Sequence, residues 1–341
     1  MERQSNFELL RIIAMYMIVM HHLIIKGADT CGYVTTYDKA TMGVCGVLLN
    51  SMFCGGVNLF ILITGWFGIK KCCLSALHIF MSVAIFGILV FLFSWIGNTN
   101  CSISHILAFV DFRNWFIVSY LMLVLVAPII EKSLQNVNMK ELTAWLILLT
   151  IFNVFCGYFL GQVNVNGYNV INFIYLYYVA RWLRMLQENK KSKFLIYAKY
   201  GFGCWLFLSF LLGMGFLFLS TQNISINSVK YWAYNNPLVI GLSVSFFVMV
   251  TSWKIKRRYI NWFASGMFGV FLLHSNSQIL TMRNEYAAAL FTDYSYFGLF
   301  LFGFCILFLG GILSAPIEKY IRFISMHVVS KKKKNENLSG R

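Results

Sequence analysis

The sequence predicts an all-α, polytopic integral membrane protein of about ten transmembrane helices, with both termini in the cytoplasm. Three observations predict it. Of the 341 residues, 59% are hydrophobic and only 12% are charged, where a soluble domain carries about 25% charge. Apolar runs long enough to cross a bilayer recur along the whole chain. Lysine and arginine gather in alternate loops, the asymmetry that orients membrane proteins.

The first run, FELLRIIAMYMIVMHHLII at 7–25, holds Arg11 in its body and has no small-residue cleavage site. It therefore reads as a retained span rather than a removable leader. Further runs lie at 43–67, 73–96, 115–131, 142–161, 169–185, 197–220, 237–253, 263–281 and 296–317. The polar segment 161–168 separates the fifth from the sixth. With the N-terminus inside, the outer loops hold Lys26, Lys39, Arg113, Lys230 and Arg283, and the remaining 23 of the 28 cations lie inside. An even number of spans returns the C-terminus to the cytoplasm. Residues 1–325 form the membrane unit, and 326–341 a polybasic tail that ends in KKKKNENLSGR, suited to anionic lipid.

The net charge of +16 does not point to nucleic acid, because no basic domain stands apart from the spans. Membrane lipids are the partners it implies. The nine cysteines lack zinc-ligand spacing, and no metal cluster is expected. Cys31 and Cys101 fall in two outer loops, where a disulfide is permitted.

Ionisable groups inside a span are costly and usually mark function. Arg11 and His22 are eleven residues apart, three helical turns plus roughly 20°, so they share one face about 16 Å apart along the axis. His21 points roughly 80° away from Arg11 on the other side. Glu8, three residues before Arg11, can pair with it. This face suggests a buried polar track with an imidazole base near one end and a cation near the other. A polar residue that only packs helices would explain His22 alone, but not the shared face.

Asn58 lies at membrane depth in the second run, and Lys70 and Lys71 follow at its inner mouth, where two ammonium groups suit phosphate; ordinary positive-inside anchoring explains them too. Asp111, Arg113, Trp115 and Tyr120 stand at the outer start of the fourth run. They can hold a sugar by hydrogen bonds and stacking, or form an interface belt. His274, in FGVFLLHSN, is a further intramembrane histidine that needs a partner or a watery cavity; it is expected to line the acceptor side. No Ser–His–Asp triad or phosphate-cradling glycine loop is present. A transporter or flippase of a lipid-linked glycan would also want a polar centre and basic inner loops.

These residues resemble the membrane acyltransferase-3 family. Arg11 and His22 meet its Arg-x10-His signature. GVNLFILITGWF at 56–67 is similar to its second-span stretch, with Asn58 at the polar position. NWFIVSYLMLVLVAP, FGVFLLHSN and IEKYIRF match three later elements in order, through Trp115, Phe116, Tyr120, Pro128 and His274. The resemblance implies an enzyme that moves an acyl group from cytoplasmic acyl-CoA, acetyl-CoA or succinyl-CoA, to a hydroxyl of an extracytoplasmic or lipid-linked glycan, alongside glycan biosynthesis machinery in the plasma membrane. It implies that His22 is catalytic, with Arg11 its companion. The family's Arg-x-x-Arg between spans two and three is replaced here by Lys70 and Lys71.

Overall fold

The computed structural model describes residues 4–28, 40–97, 114–188, 192–222 and 228–339. All of its regular structure is helical, with no strand among the described residues. Among the described residues, eight helices are long and apolar enough to cross a membrane: Ser5–Ala28, Gly43–Phe67, Cys72–Ile96, Trp115–Ser133, Met139–Phe159, Phe202–Leu219, Val229–Thr251 and Ser277–Ser330.

Helix α1 (Ser5–Leu23) is the central post, ending in a wider π turn, Ile24–Ala28. Its Leu10, Ala14, Val19 and Met20 are fully enclosed. The second expected run is two helices, α2 (Ala40–Phe53) and α3 (Gly56–Phe67). Glycines stand at the break, and one of them allows a close approach. A Cβ on Gly56 would lie 2.8 Å from the Ala14 carbonyl oxygen and 2.9 Å from Ile18 Cγ1, so glycine lets α3 press onto α1.

Next come α4 (Cys72–Ile96), α5 (Trp115–Ser133) and α6 (Met139–Thr150), the last continued by a π segment, Ile151–Phe159. Asparagines start three helices. Asn114 accepts from the Phe116 amide at 3.1 Å, Asn138 builds a capping box with Glu141, and Asn236 caps a helix whose first residue is Pro237. Each satisfies amides that have no partner within the helix.

Helix α7 (Val170–Glu188) ends in Arg181, Arg184 and Glu188 and falls outside the eight on composition. It is followed by α8 (Ser192–Tyr200), α9 (Phe202–Thr221) and α10 (Pro237–Thr251). The expected run 263–281 is not one helix. It is divided into α11 (Arg258–Ala264), α12 (Met267–His274) and the start of α13 (Ser277–Ser339). Gly266 packs so tightly on α13 that a Cβ would meet the Ala315 nitrogen at 2.7 Å. Helix α13 itself breaks at Ser295, where φ is 58°, one residue before the expected last span.

Contacts fix which ends lie together. Phe7, at the start of α1, packs on Trp66 and Phe67 at the end of α3, with ring centroids 5.7 and 4.9 Å away. Asn6 donates to the Val250 carbonyl near the end of α10, and Arg184 donates to the Trp66 carbonyl at 2.9 Å. Glu318 of α13 meets His78 of α4 at 3.0 Å and accepts from Ser82 at 3.2 Å. These ends form one face of the bundle, the N-terminal face. Phe173, near the start of α7, meets Trp115 and Phe116 on the far side. Large apolar side chains such as Phe93, Ile129, Phe159 and Phe297 are exposed around the perimeter, a surface that suits lipid.

Candidate active site

Helix α1 carries three of the expected site residues. Arg11 Nη1 donates to Glu8 Oε2 at 2.6 Å. Glu8 is buried in the first turn, where the helix dipole favours a carboxylate. The Arg11 side chain is 30% exposed, so the guanidinium has a charged partner and keeps donors to spare. The two turns between Arg11 and His22 carry Met15 and Ile18, both buried. The shared face is therefore polar at two levels and apolar between them, rather than a continuous polar track.

His22 lies against His274, with Nδ1 of His22 3.2 Å from Nε2 of His274 and ring centroids 5.4 Å apart. The tautomers follow from the outermost partner. His274 Nδ1 is 2.9 Å from the Val270 carbonyl oxygen. A carbonyl only accepts, so His274 carries its proton on Nδ1. In a neutral imidazole Nε2 is then a bare acceptor, and His22 Nδ1 must donate to it. That leaves the lone pair of His22 on Nε2, unprotonated, in a residue that is only partly buried. Short helix α12 makes this possible, because it ends at His274 and presents the ring at the level of His22.

Arg283 completes the arrangement. It is 4% exposed and donates through Nη1 to the His274 carbonyl at 2.8 Å. Nε and Nη2 both donate to Asn284 Oδ1, at 3.2 and 2.8 Å. Counted by its position in sequence as an outer-loop cation, Arg283 is instead an enclosed group on α13. It holds the carbonyl end of α12 in place, as a cation at a helix C-terminus should.

The adjacent His21 faces elsewhere. Its Nδ1 is 2.6 Å from Asn50 Oδ1, and the Asn50 amide donates to Tyr231. Its Nδ1 is engaged by this buried chain, which ties α1 to α2 and to the segment before α10.

The other expected residues divide into three places. Asn58 is enclosed and donates through Nδ2 to the Tyr234 carbonyl at 2.9 Å, while its Oδ1 has no partner among the described residues. Trp115 sits in a ring cluster with Tyr168 at 4.8 Å and Tyr234 at 5.5 Å. Tyr120 stacks on Phe116 and meets Thr64 Oγ1 at 3.2 Å. Thr64 spends its own hydrogen on the Phe60 carbonyl, so Tyr120 is the donor. Phe116 contacts Phe271 at 4.6 Å, and Phe271 contacts His274 at 5.7 Å. The start of α5 is thus joined to the histidine pair by packed rings. Lys70 and Lys71 are exposed on the N-terminal face, away from the histidines. Asp111, Arg113, Cys31 and Cys101 lie outside the described residues.

Sequence reasoning missed the His22–His274 contact, Arg283, and the two tyrosines beside Trp115. The signal for Arg283 was its position nine residues after His274, close enough to reach back to the carbonyl end of the preceding helix. Tyr168 and Tyr234 carried no such signal.

A helical bundle with an apolar perimeter and an internal pair of imidazoles defines a polytopic membrane protein with a polar centre. The chain belongs to the membrane acyltransferase-3 family: the family model, described as an acyltransferase domain, matches residues 4–317. It is accordingly a membrane acyltransferase. No curated protein and no solved structure matches the chain.

Proposed function

We propose that this protein is an O-acyltransferase of the plasma membrane that moves an acetyl group from cytoplasmic acetyl-CoA to a hydroxyl of an extracytoplasmic or lipid-linked glycan. The observation that carries the proposal is the His22–His274 pair, which leaves His22 Nε2 unprotonated on the same helix face as Arg11. In this reading α7 and the broken pair α11 and α12 complete ten crossings, and the N-terminal face is cytoplasmic.

His22 Nε2 takes the proton of the acceptor hydroxyl as its oxygen attacks the thioester carbonyl. The C–S bond breaks, and the leaving thiolate takes that proton back from His22, giving the acyl ester and free CoA. His274 keeps the reactive nitrogen bare before the reaction and stabilises the imidazolium during it. Arg11 stands about 16 Å from His22 along the axis, too far to share a reacting atom. Its role is to hold the donor's extended arm, with Glu8 fixing its fork. Lys70 and Lys71 receive the donor's phosphates at the inner mouth. One amide hydrogen of Asn58 is spent on Tyr234; the second serves the developing oxyanion. Trp115 and Tyr120, with Asp111 and Arg113 beside them in sequence, receive the glycan from outside. Succinyl-CoA shares the same handle and is an alternative donor.

The test is acyl transfer by membranes carrying the protein, supplied with labelled acetyl-CoA and compared with membranes carrying His22→Ala. Label in the glycan fraction with the wild type alone supports the reading. Equal labelling by the variant overturns the role of His22, and none with either overturns the donor.

A further inference from the structure

The N-terminal face holds a network that the reaction above does not use. Helix α3 ends at Phe67, and the chain reverses through 68–71 into α4. Gly68 has φ of 69°, a conformation that favours glycine, and a Cβ there would lie 2.8 Å from Glu131 Oε1. The Ile69 amide donates to Tyr177 Oη at 3.0 Å, and Tyr177 in turn donates to Glu131 Oε1. Arg181 Nη2 donates to the other carboxylate oxygen at 3.1 Å. Two helices, α5 and α7, therefore grip the backbone immediately before Lys70 and Lys71. Both lysines are exposed, and neither has an acidic partner among the described residues.

We propose that Tyr177 and Glu131 are positioning residues that hold the 68–71 turn as a phosphate-binding corner for the donor. The inference rests on the reading that the donor is an acyl-CoA. Two ammonium groups on consecutive residues are a poor phosphate site if the turn is loose, because each side chain then loses its freedom on binding. A turn fixed by a bonded amide has already met part of that cost, so affinity rises without a new contact. Glu131 is itself neutralised by Arg181, so the clamp places no unpaired negative charge beside the phosphates.

The test compares two donors, acetyl-CoA and acetyl-pantetheine, which has the thioester but no phosphate. Tyr177→Phe removes the hydroxyl that links Ile69 to Glu131. It should raise KM for acetyl-CoA about three- to tenfold, the scale of one or two hydrogen bonds, with kcat within about twofold and KM for acetyl-pantetheine unchanged. Glu131→Gln, which keeps an acceptor for Tyr177, should lie between wild type and Tyr177→Phe. The double change Lys70→Gln with Lys71→Gln should show the same phosphate-selective rise. Equal losses with both donors, or an unchanged KM for acetyl-CoA, overturn the corner while the wild-type transfer stands. Anionic lipid is the other source of phosphate. An effect that is the same for both donors in anionic vesicles and vanishes in neutral ones assigns the lysines to headgroups and overturns the proposal. A wild type that cannot use acetyl-CoA rejects the donor assignment instead.

Discussion

His22 and His274 are 252 residues apart in sequence, yet their ring nitrogens stand 3.2 Å apart. The Val270 carbonyl fixes the outer proton of the pair, and that single bond decides which nitrogen of His22 is bare. Removing the inner partner should therefore harm chemistry more than binding. His274→Ala is expected to lower kcat by about 10²-fold, with little change in KM for the donor. His274→Gln, whose amide oxygen can accept from His22 Nδ1, should recover part of the loss. Steady-state kinetics in membranes matched for protein content check this, and equal activity of all three forms would remove the tautomer argument.

Arg283 should act through the fold. Arg283→Ala leaves the buried His274 carbonyl without its donor and releases the half-buried Asn284. A loss of about 1–3 kcal/mol is expected for such unpaired groups. Arg283→Lys should rescue only in part, because an ammonium group cannot copy the planar fork that spans both acceptors. Thermal unfolding in detergent measures it. A variant as stable as the wild type would show that the end of α12 needs no anchor.

Gly56 should tolerate no side chain. Gly56→Ala puts a methyl 2.8 Å from the Ala14 carbonyl oxygen, and backbone cannot give way as a side chain can. Overpacking of this kind costs about 1–3 kcal/mol. Because α1 would be pushed from α3, the variant should lose activity as well as thermal stability. An active, fully stable variant would mean that the two helices can separate freely.

Glu8 should matter through Arg11. Glu8→Ala removes the carboxylate that holds the guanidinium at 2.6 Å; a charge-assisted bond of this kind is worth about 1.5–3 kcal/mol. The expected result is a raised KM for the donor, in the same direction as Arg11→Ala and smaller. Combining the two changes should add little to Arg11→Ala alone. Full additivity in that double variant would show that the pair does not act as a unit.

Much of the fold was legible because run length and charge asymmetry report on the bilayer directly. Runs such as 73–96 and 115–131 became α4 and α5 almost at the expected limits. The breaks were less legible. Hydropathy is blind to them, and to the close approaches that distant helices make at the neighbouring Gly56 and Gly266. The face shared by Arg11 and His22 followed from helical geometry alone. The pairing of His22 with His274 could not, since it depends on where a broken helix ends in space. Arg283 was misplaced because counting cations by loop assumes that a charge near a span end meets water. It meets a helix's terminal carbonyl instead.

The most direct measurement is transfer of labelled acetyl from acetyl-CoA to cell-surface glycan in membranes containing either wild type or His22→Ala at equal abundance. The account predicts labelled glycan with the first and background with the second. Labelling at the wild-type rate by His22→Ala would contradict it.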